Sequence, residues 1–113
     1  MVGHYIKALN AADLTAISEL FAETVVAFDP VGTQRIDGHA ALLKFFETGP
    51  FTHPIRAELD GQVRLAGNSA AFAFVAYSDN AEMHIIDVFE FGDDNKITKM
   101  LAYWSNANVV SSR

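Results

Sequence analysis

The chain has 113 residues, half of them apolar and 12% aromatic, with no cysteine and a net charge of −6. That length fits a single domain, residues 1–113, built on one core. The eight Lys and Arg are scattered, which removes the electrostatic footprint of a nucleic-acid or acidic-lipid binder, and the lack of thiols excludes both a disulfide framework and a thiolate metal site.

Val2, Ile6 and Leu9 recur at helical spacing with Tyr5 on the same stripe, predicting a short first helix from Val2 to Ala11. Asn10 and Asp13 break and restart the pattern. Asp13 can cap the run DLTAISELFAE, whose Leu14, Ile17, Leu20 and Phe21 form one face, so a second helix is expected over about 13–23. TVVAFDPVG then reads as a β-branched strand stopped at Pro30, which leaves Asp29 at a strand end. Beyond the turn residues Gly32 to Gly38, HAALLKFFETG is a third helix, stopped by Gly49 and Pro50.

After the loop from Pro50 to Pro54 the chain turns extended. RAELDGQVRLA, SAAFAFVAYS, EMHIIDVFEFG and KITKMLAYWSNANVV are separated by GN, DN and GDDN turns, predicting four strands in meander order. Helices first and antiparallel strands afterwards define an α+β domain: three N-terminal helices packed on a curved, mainly antiparallel sheet. Alternation places Met83, Ile85, Asp87, Phe89 and Phe91 on one face and His84, Ile86, Val88 and Glu90 on the other. Both faces carry large apolar groups, so a homodimer through the sheet is expected. No stretch reaches the roughly 20 apolar residues that span a bilayer, and the expected location is cytoplasmic, with no membrane partner.

Two carboxyls stand in unusual surroundings. Asp87 lies between Ile86 and Val88 on the face of Ile85 and Phe89, where burial disfavours its charged form. Kept protonated, it can donate a hydrogen bond to an oxygen that is becoming negative; the alternative is a structural Asp bonded to a backbone amide or to an arginine such as Arg64. Asp29, among Val25, Val26, Phe28 and Val31, is either a general base or a turn-forming residue before proline. Tyr5 is a core tyrosine or a buried hydroxyl with a polar partner. The histidines His4, His39, His53 and His84 show no metal-ligand spacing, and there is neither a glycine-rich phosphate loop nor a nucleophile elbow. No metal and no cofactor are expected.

Taken together, YIKALNAADLTAISELFAETVVAFDPVG, RAELDGQVRLAGNSAAFAF, IIDVFEF and MLAYWS resemble the ketosteroid isomerases, or steroid delta-isomerases, over nearly the entire chain. The resemblance implies a cone-shaped fold shared with nuclear transport factor 2 and the polyketide cyclases, closed over an apolar pocket and dimerised through its sheet. It implies Asp29 as the base that carries a proton from carbon 4 to carbon 6 of a 3-oxo-5-ene steroid. Tyr5 and protonated Asp87 become the donors to the dienolate oxygen. This division of labour between two carboxyls is the known pattern of that family. The substrate it implies is a small apolar ketone of the steroid class. Phe72 or Phe74, with Met100, Ala102 and Trp104, would line an apolar wall; Phe74 is the preferred member of the pair. Phe46 and Phe21 stand where family members can carry a tyrosine, which implies a less supported Tyr5 hydroxyl. A non-catalytic pocket protein, or a cyclase acting on another ketone, is the alternative.

Overall fold

The computed structural model describes residues 1–111. Three helices, α1 (Val2–Ala11), α2 (Leu14–Leu20) and α3 (His39–Thr48), pack on one face of a mixed, mostly antiparallel sheet. Its strands are β1 (Phe21–Phe28), β2 (Ile36–Asp37), β3 (Arg56–Leu59), β4 (Arg64–Ala66), β5 (Ser69–Tyr77), β6 (Ala81–Phe91), β7 (Ile97–Tyr103) and β8 (Val109–Ser111). The order is β2-β1-β7-β6-β5-β3, with β4 also paired to β5 and β8 to β6. The α+β class with three N-terminal helices is therefore the observed architecture.

The helices are fixed at both ends of the first pair. The Asp13 carboxyl accepts from the Ala16 amide at 3.1 Å and caps α2, a contact of the kind that contributes about 1 kcal/mol. At the end of α1, Asn10 behaves like a strand residue: its Nδ2 donates to the Ala57 carbonyl at 3.0 Å and its Oδ1 accepts from the Ala57 amide at 2.7 Å. This clamp ties α1 to β3 and fixes where Tyr5 points.

Several boundaries differ from expectation. The second helix ends at Leu20, because Phe21 already belongs to β1 and turns its ring into the core. The first long extended run splits into β3 and β4 at Gly61, whose φ of +92° no L side chain adopts without strain. The last run also splits: after Tyr103 the chain leaves the sheet, makes a 3₁₀ turn at Asn106–Asn108, and returns as β8 against the start of β6. Ile36 and Asp37, expected within a turn, form β2 against β1. The meander is complete only for β5, β6 and β7, and β1 joins β7 in parallel.

On β6 the alternation holds: Ile85, Asp87 and Phe89 are buried, whereas His84 and Ile86 face outward. The core joins α2 and α3 to the inner face through Ile17, Phe21, Val25, Leu42, Phe46, Phe89, Ile97 and Met100. On the opposite face Ile86 and Tyr103 are register partners, 49% and 47% exposed.

Candidate active site

Asp87 is placed by the sheet register. Its partners on either side are Phe72 on β5 and Ala102 on β7, and its neighbours along the buried face of β6 are Ile85 and Phe89. It is only 2% exposed. No cation follows it into this setting: Arg64 stays at the surface and donates to the Gln62 carbonyl. Among the described residues, the carboxyl atom Oδ1 has no hydrogen-bond partner, so the structural alternative of an Asp tied to an amide or to Arg64 does not describe this atom. Burial pushes the carboxyl well above the usual carboxylate range and the charge of Asp29 pushes it further, while the Tyr5 hydroxyl acts in the opposite direction.

Asp29 follows β1 directly. That strand is parallel to β7 with Phe28 opposite Leu101, and the Val31 amide donates to the Ala102 carbonyl at 2.8 Å. Ala102 thus lies in the sheet between the segment carrying Asp29 and the strand carrying Asp87. Two strand spacings separate the two backbones, about 10 Å, leaving room for a substrate atom between the carboxyls. Trp104 donates its indole N–H to Oδ1 of Asp29 at 2.7 Å. Burial raises the Asp29 pKa above the ordinary carboxylate value, and the indole bond opposes that rise without cancelling it. The two carboxyls therefore differ in degree: burial raises both, but Asp29 is half-buried with the indole on its Oδ1, whereas Asp87 is more deeply buried, raised further, and has an unfilled Oδ1.

Tyr5 completes the group from α1. Its side chain is 3% exposed and meets four phenylalanine rings edge-on, Phe21 at 6.3 Å, Phe46 at 6.4 Å, Phe72 at 6.1 Å and Phe89 at 5.0 Å between centroids. This cage fixes the ring by packing rather than by polar contacts. Burial first, then the charges of Asp87 and Asp29, push the phenol well above its ordinary pKa and keep it a donor.

Tyr5, Asp29, Asp87, Phe74 and Trp104 all line one cavity of about 310 Å³, at the small end of ligand sites. Met100 and Ala102, expected in its wall, do not line it. Met100 is fully buried opposite Phe89 and Ala27, and Ala102 is buried in the sheet beside Asp87 without lining the cavity. Phe72 likewise belongs to the core beneath Tyr5. The remaining wall includes Leu9, Phe45, Phe46, Pro50, Ile55 and Met83. The Trp104 to Asp29 bond was missed from sequence, although an indole in a buried wall needs a partner for its N–H. Among the described residues, no cluster of three or more His, Cys, Asp or Glu is placed to hold a metal ion. None of the described helices is long and apolar enough to cross a membrane.

A family model described as a SnoaL-like domain matches residues 2–100. The chain belongs to the SnoaL-like family. Within reach of this family is a steroid delta-isomerase from Nocardioides simplex, 31% identical over 96% of this chain and 90% of that protein. The SnoaL-like chain is also similar to the solved structure of SalBIII, an epoxide hydrolase/cyclase-like enzyme with a role in pyran ring formation in the polyether salinomycin. Their TM-score is 0.89 and their identity 28%, covering 97% of this chain and 92% of that one. Rv0760c from Mycobacterium tuberculosis shares the fold at a TM-score of 0.88 with 19% identity, covering 98% and 92%. A second structure of Rv0760c holds estradiol-17β-hemisuccinate; its TM-score is 0.84 at 20% identity, covering 93% and 91%.

Proposed function

We propose that this SnoaL-like chain is a steroid delta-isomerase, converting 3-oxo-5-ene steroids to 3-oxo-4-ene steroids without a cofactor. The observation that carries the reading is the convergence of Tyr5, Asp29 and Asp87 on one otherwise apolar cavity, with the Trp104 indole on Asp29 and Oδ1 of Asp87 unfilled among the described residues. Similarity to the Nocardioides simplex isomerase supports it.

The chemistry then balances within the substrate. The Asp29 carboxylate takes a proton from carbon 4, and the released electron pair moves toward the carbonyl at carbon 3. The dienolate oxygen accepts hydrogen bonds from the Tyr5 hydroxyl and protonated Asp87. Asp29 returns its proton at carbon 6, and the double bond comes to rest in conjugation with the ketone. A base must be ionised and an oxyanion donor protonated at the same pH, which is why unequal surroundings for two aspartates are useful. Phe74 and Trp104, with the wall from Phe45 to Ile55, fit a flat apolar ring system.

The protein is proposed to work in the cytoplasm as a homodimer through the outer sheet face, where Ile86 and Tyr103 leave adjacent apolar surface. The second reading is enolate chemistry on another ketone, favoured by the likeness to cyclase-like SalBIII. Epoxide opening is disfavoured, since among the described residues no arginine lines the cavity to sit between the carboxylates.

The test is direct. Metal-free, nucleotide-free protein mixed with a 5-ene-3-ketosteroid should develop the ultraviolet band of the conjugated enone far faster than buffer. A rate equal to buffer, with a phenolic dienolate mimic still bound, would select a binding or cyclase role instead.

A further inference from the structure

Trp104 occupies an unusual stretch of backbone. It lies just beyond β7, on the excursion that carries the chain from its pairing with the second half of β6 to its pairing with the first. Before it, the chain is held by the sheet, with Tyr103 opposite Ile86 and the Ala102 carbonyl bonded to the Val31 amide. After it, the chain has no ladder until Val109 meets Met83.

A reciprocal set of hydrogen bonds spans that gap. The Ser105 amide donates to Oδ1 of Asn108 at 3.0 Å, the Ala107 amide donates to the Ser105 hydroxyl at 3.2 Å, and the Asn108 amide donates to the Ser105 carbonyl at 2.9 Å. The residue following Trp104 is therefore fixed by both its side chain and its amide. Ser105 and Asn108 are exposed and contribute nothing to the core, yet they pin the segment that the sheet leaves unpaired beside the indole.

We propose that Ser105 and Asn108 are positioning residues for Asp29, acting through Trp104. The box holds the backbone of the excursion so that the indole N–H stays on Oδ1 of Asp29 and the other carboxylate oxygen is left for the substrate. This rests on the assignment of Asp29 as the base. Among the described residues, the ionisable groups that face Asp29 are Asp87 from β6 and Tyr5 from α1, neither of which touches Ser105 or Asn108, and no Lys, Arg or His lines the cavity. A change at Ser105 or Asn108 can reach Asp29 only by way of Trp104.

The experiment is an NMR titration of the whole protein carrying carboxyl-labelled aspartate, with fluorescence of Trp104, the one tryptophan in the sequence, as a second readout. Ser105→Ala and Asn108→Ala should each move the Asp29 titration to higher pH, in the direction of Trp104→Phe and by less, and should alter Trp104 emission. Ser105→Thr keeps the acceptor and should restore the wild-type titration. In a Trp104→Phe background neither alanine substitution should move Asp29 further. Unchanged titration in both alanine variants, or a full additional shift in the Trp104→Phe background, overturns the proposal. Should alanine at position 108 unseat β8, the Ser105 pair alone decides. Failure of the wild type to isomerise a steroid would strike the functional reading and leave this titration intact.

Discussion

Trp104 donates its indole N–H to the half-buried Asp29 at 2.7 Å, whereas Oδ1 of the buried Asp87 in the same cavity has no hydrogen-bond partner among the described residues. The asymmetry originates in the sheet. Asp29 leaves the end of β1 beside the C-terminal end of β7, where an aromatic N–H is within reach, whereas Asp87 is set mid-strand between Phe72 and Ala102. The opposite roles proposed for the two aspartates, base and donor, rest on these positions.

Replacing Asp29 by Asn keeps the side-chain shape and removes the base. Turnover should fall by about a hundredfold to ten-thousandfold. Affinity for a phenolic dienolate mimic should stay near wild type, as steady-state kinetics and a binding titration can check. A kcat reduced less than tenfold would remove the base from Asp29.

Loss of the indole donor has a definite sign. The bond favours the charged form of Asp29, so Trp104→Phe should raise the Asp29 pKa and move the acidic limb of the pH profile for kcat/KM to higher pH. Activity then falls most at the acidic end. A profile that drops uniformly would instead indicate a packing role for the ring.

Asp87 should make the protein less stable as pH rises. The folded state holds the Asp87 proton more tightly than the unfolded chain does, so it binds more protons between the ordinary carboxylate pKa and the raised one. Stability falls through that window by about 1.4 kcal/mol for each pH unit. Asp87→Asn cannot ionise, and its Tm should exceed the wild-type value most at neutral pH and converge with it near about pH 4. The same variant should lose about a hundredfold to a thousandfold in kcat. Thermal melts and assays on one preparation test both halves, and parallel Tm profiles for the two proteins would count against the raised Asp87 pKa.

Phe89 packs at 5.0 Å from the Tyr5 ring and is fully buried. Phe89→Ala should cost about 3–5 kcal/mol in denaturant unfolding. Tyr5→Phe, in contrast, retains the caged ring and should leave stability nearly unchanged while slowing turnover. Equal destabilisation by both substitutions would mean that the Tyr5 hydroxyl serves the fold rather than the cavity.

Much of this was readable from the chain. Alternation in EMHIIDVFEF assigned the faces of β6 correctly, because every second residue of that strand meets the same core. Phe74 and Trp104 reached the cavity as expected, but Met100 and Ala102 did not. Alternation tells which face a residue shares and not how deep along the sheet it lies; depth is set by register, which placed Met100 opposite Phe89. The excursion at 104–108 was hidden for a related reason. WSNANVV carries strand-forming residues at both ends, and local side-chain and backbone bonds among Ser105, Ala107 and Asn108 interrupt it with a 3₁₀ turn.

The requirement that matters most is that one cavity holds two carboxyls in opposite protonation states. Carboxyl NMR of the free protein at neutral pH, with Asp29→Asn and Asp87→Asn used to assign the signals, measures it directly. Asp87 should be protonated and Asp29 ionised. An ionised Asp87 under those conditions would contradict its part in the oxyanion hole, and with it the isomerase mechanism.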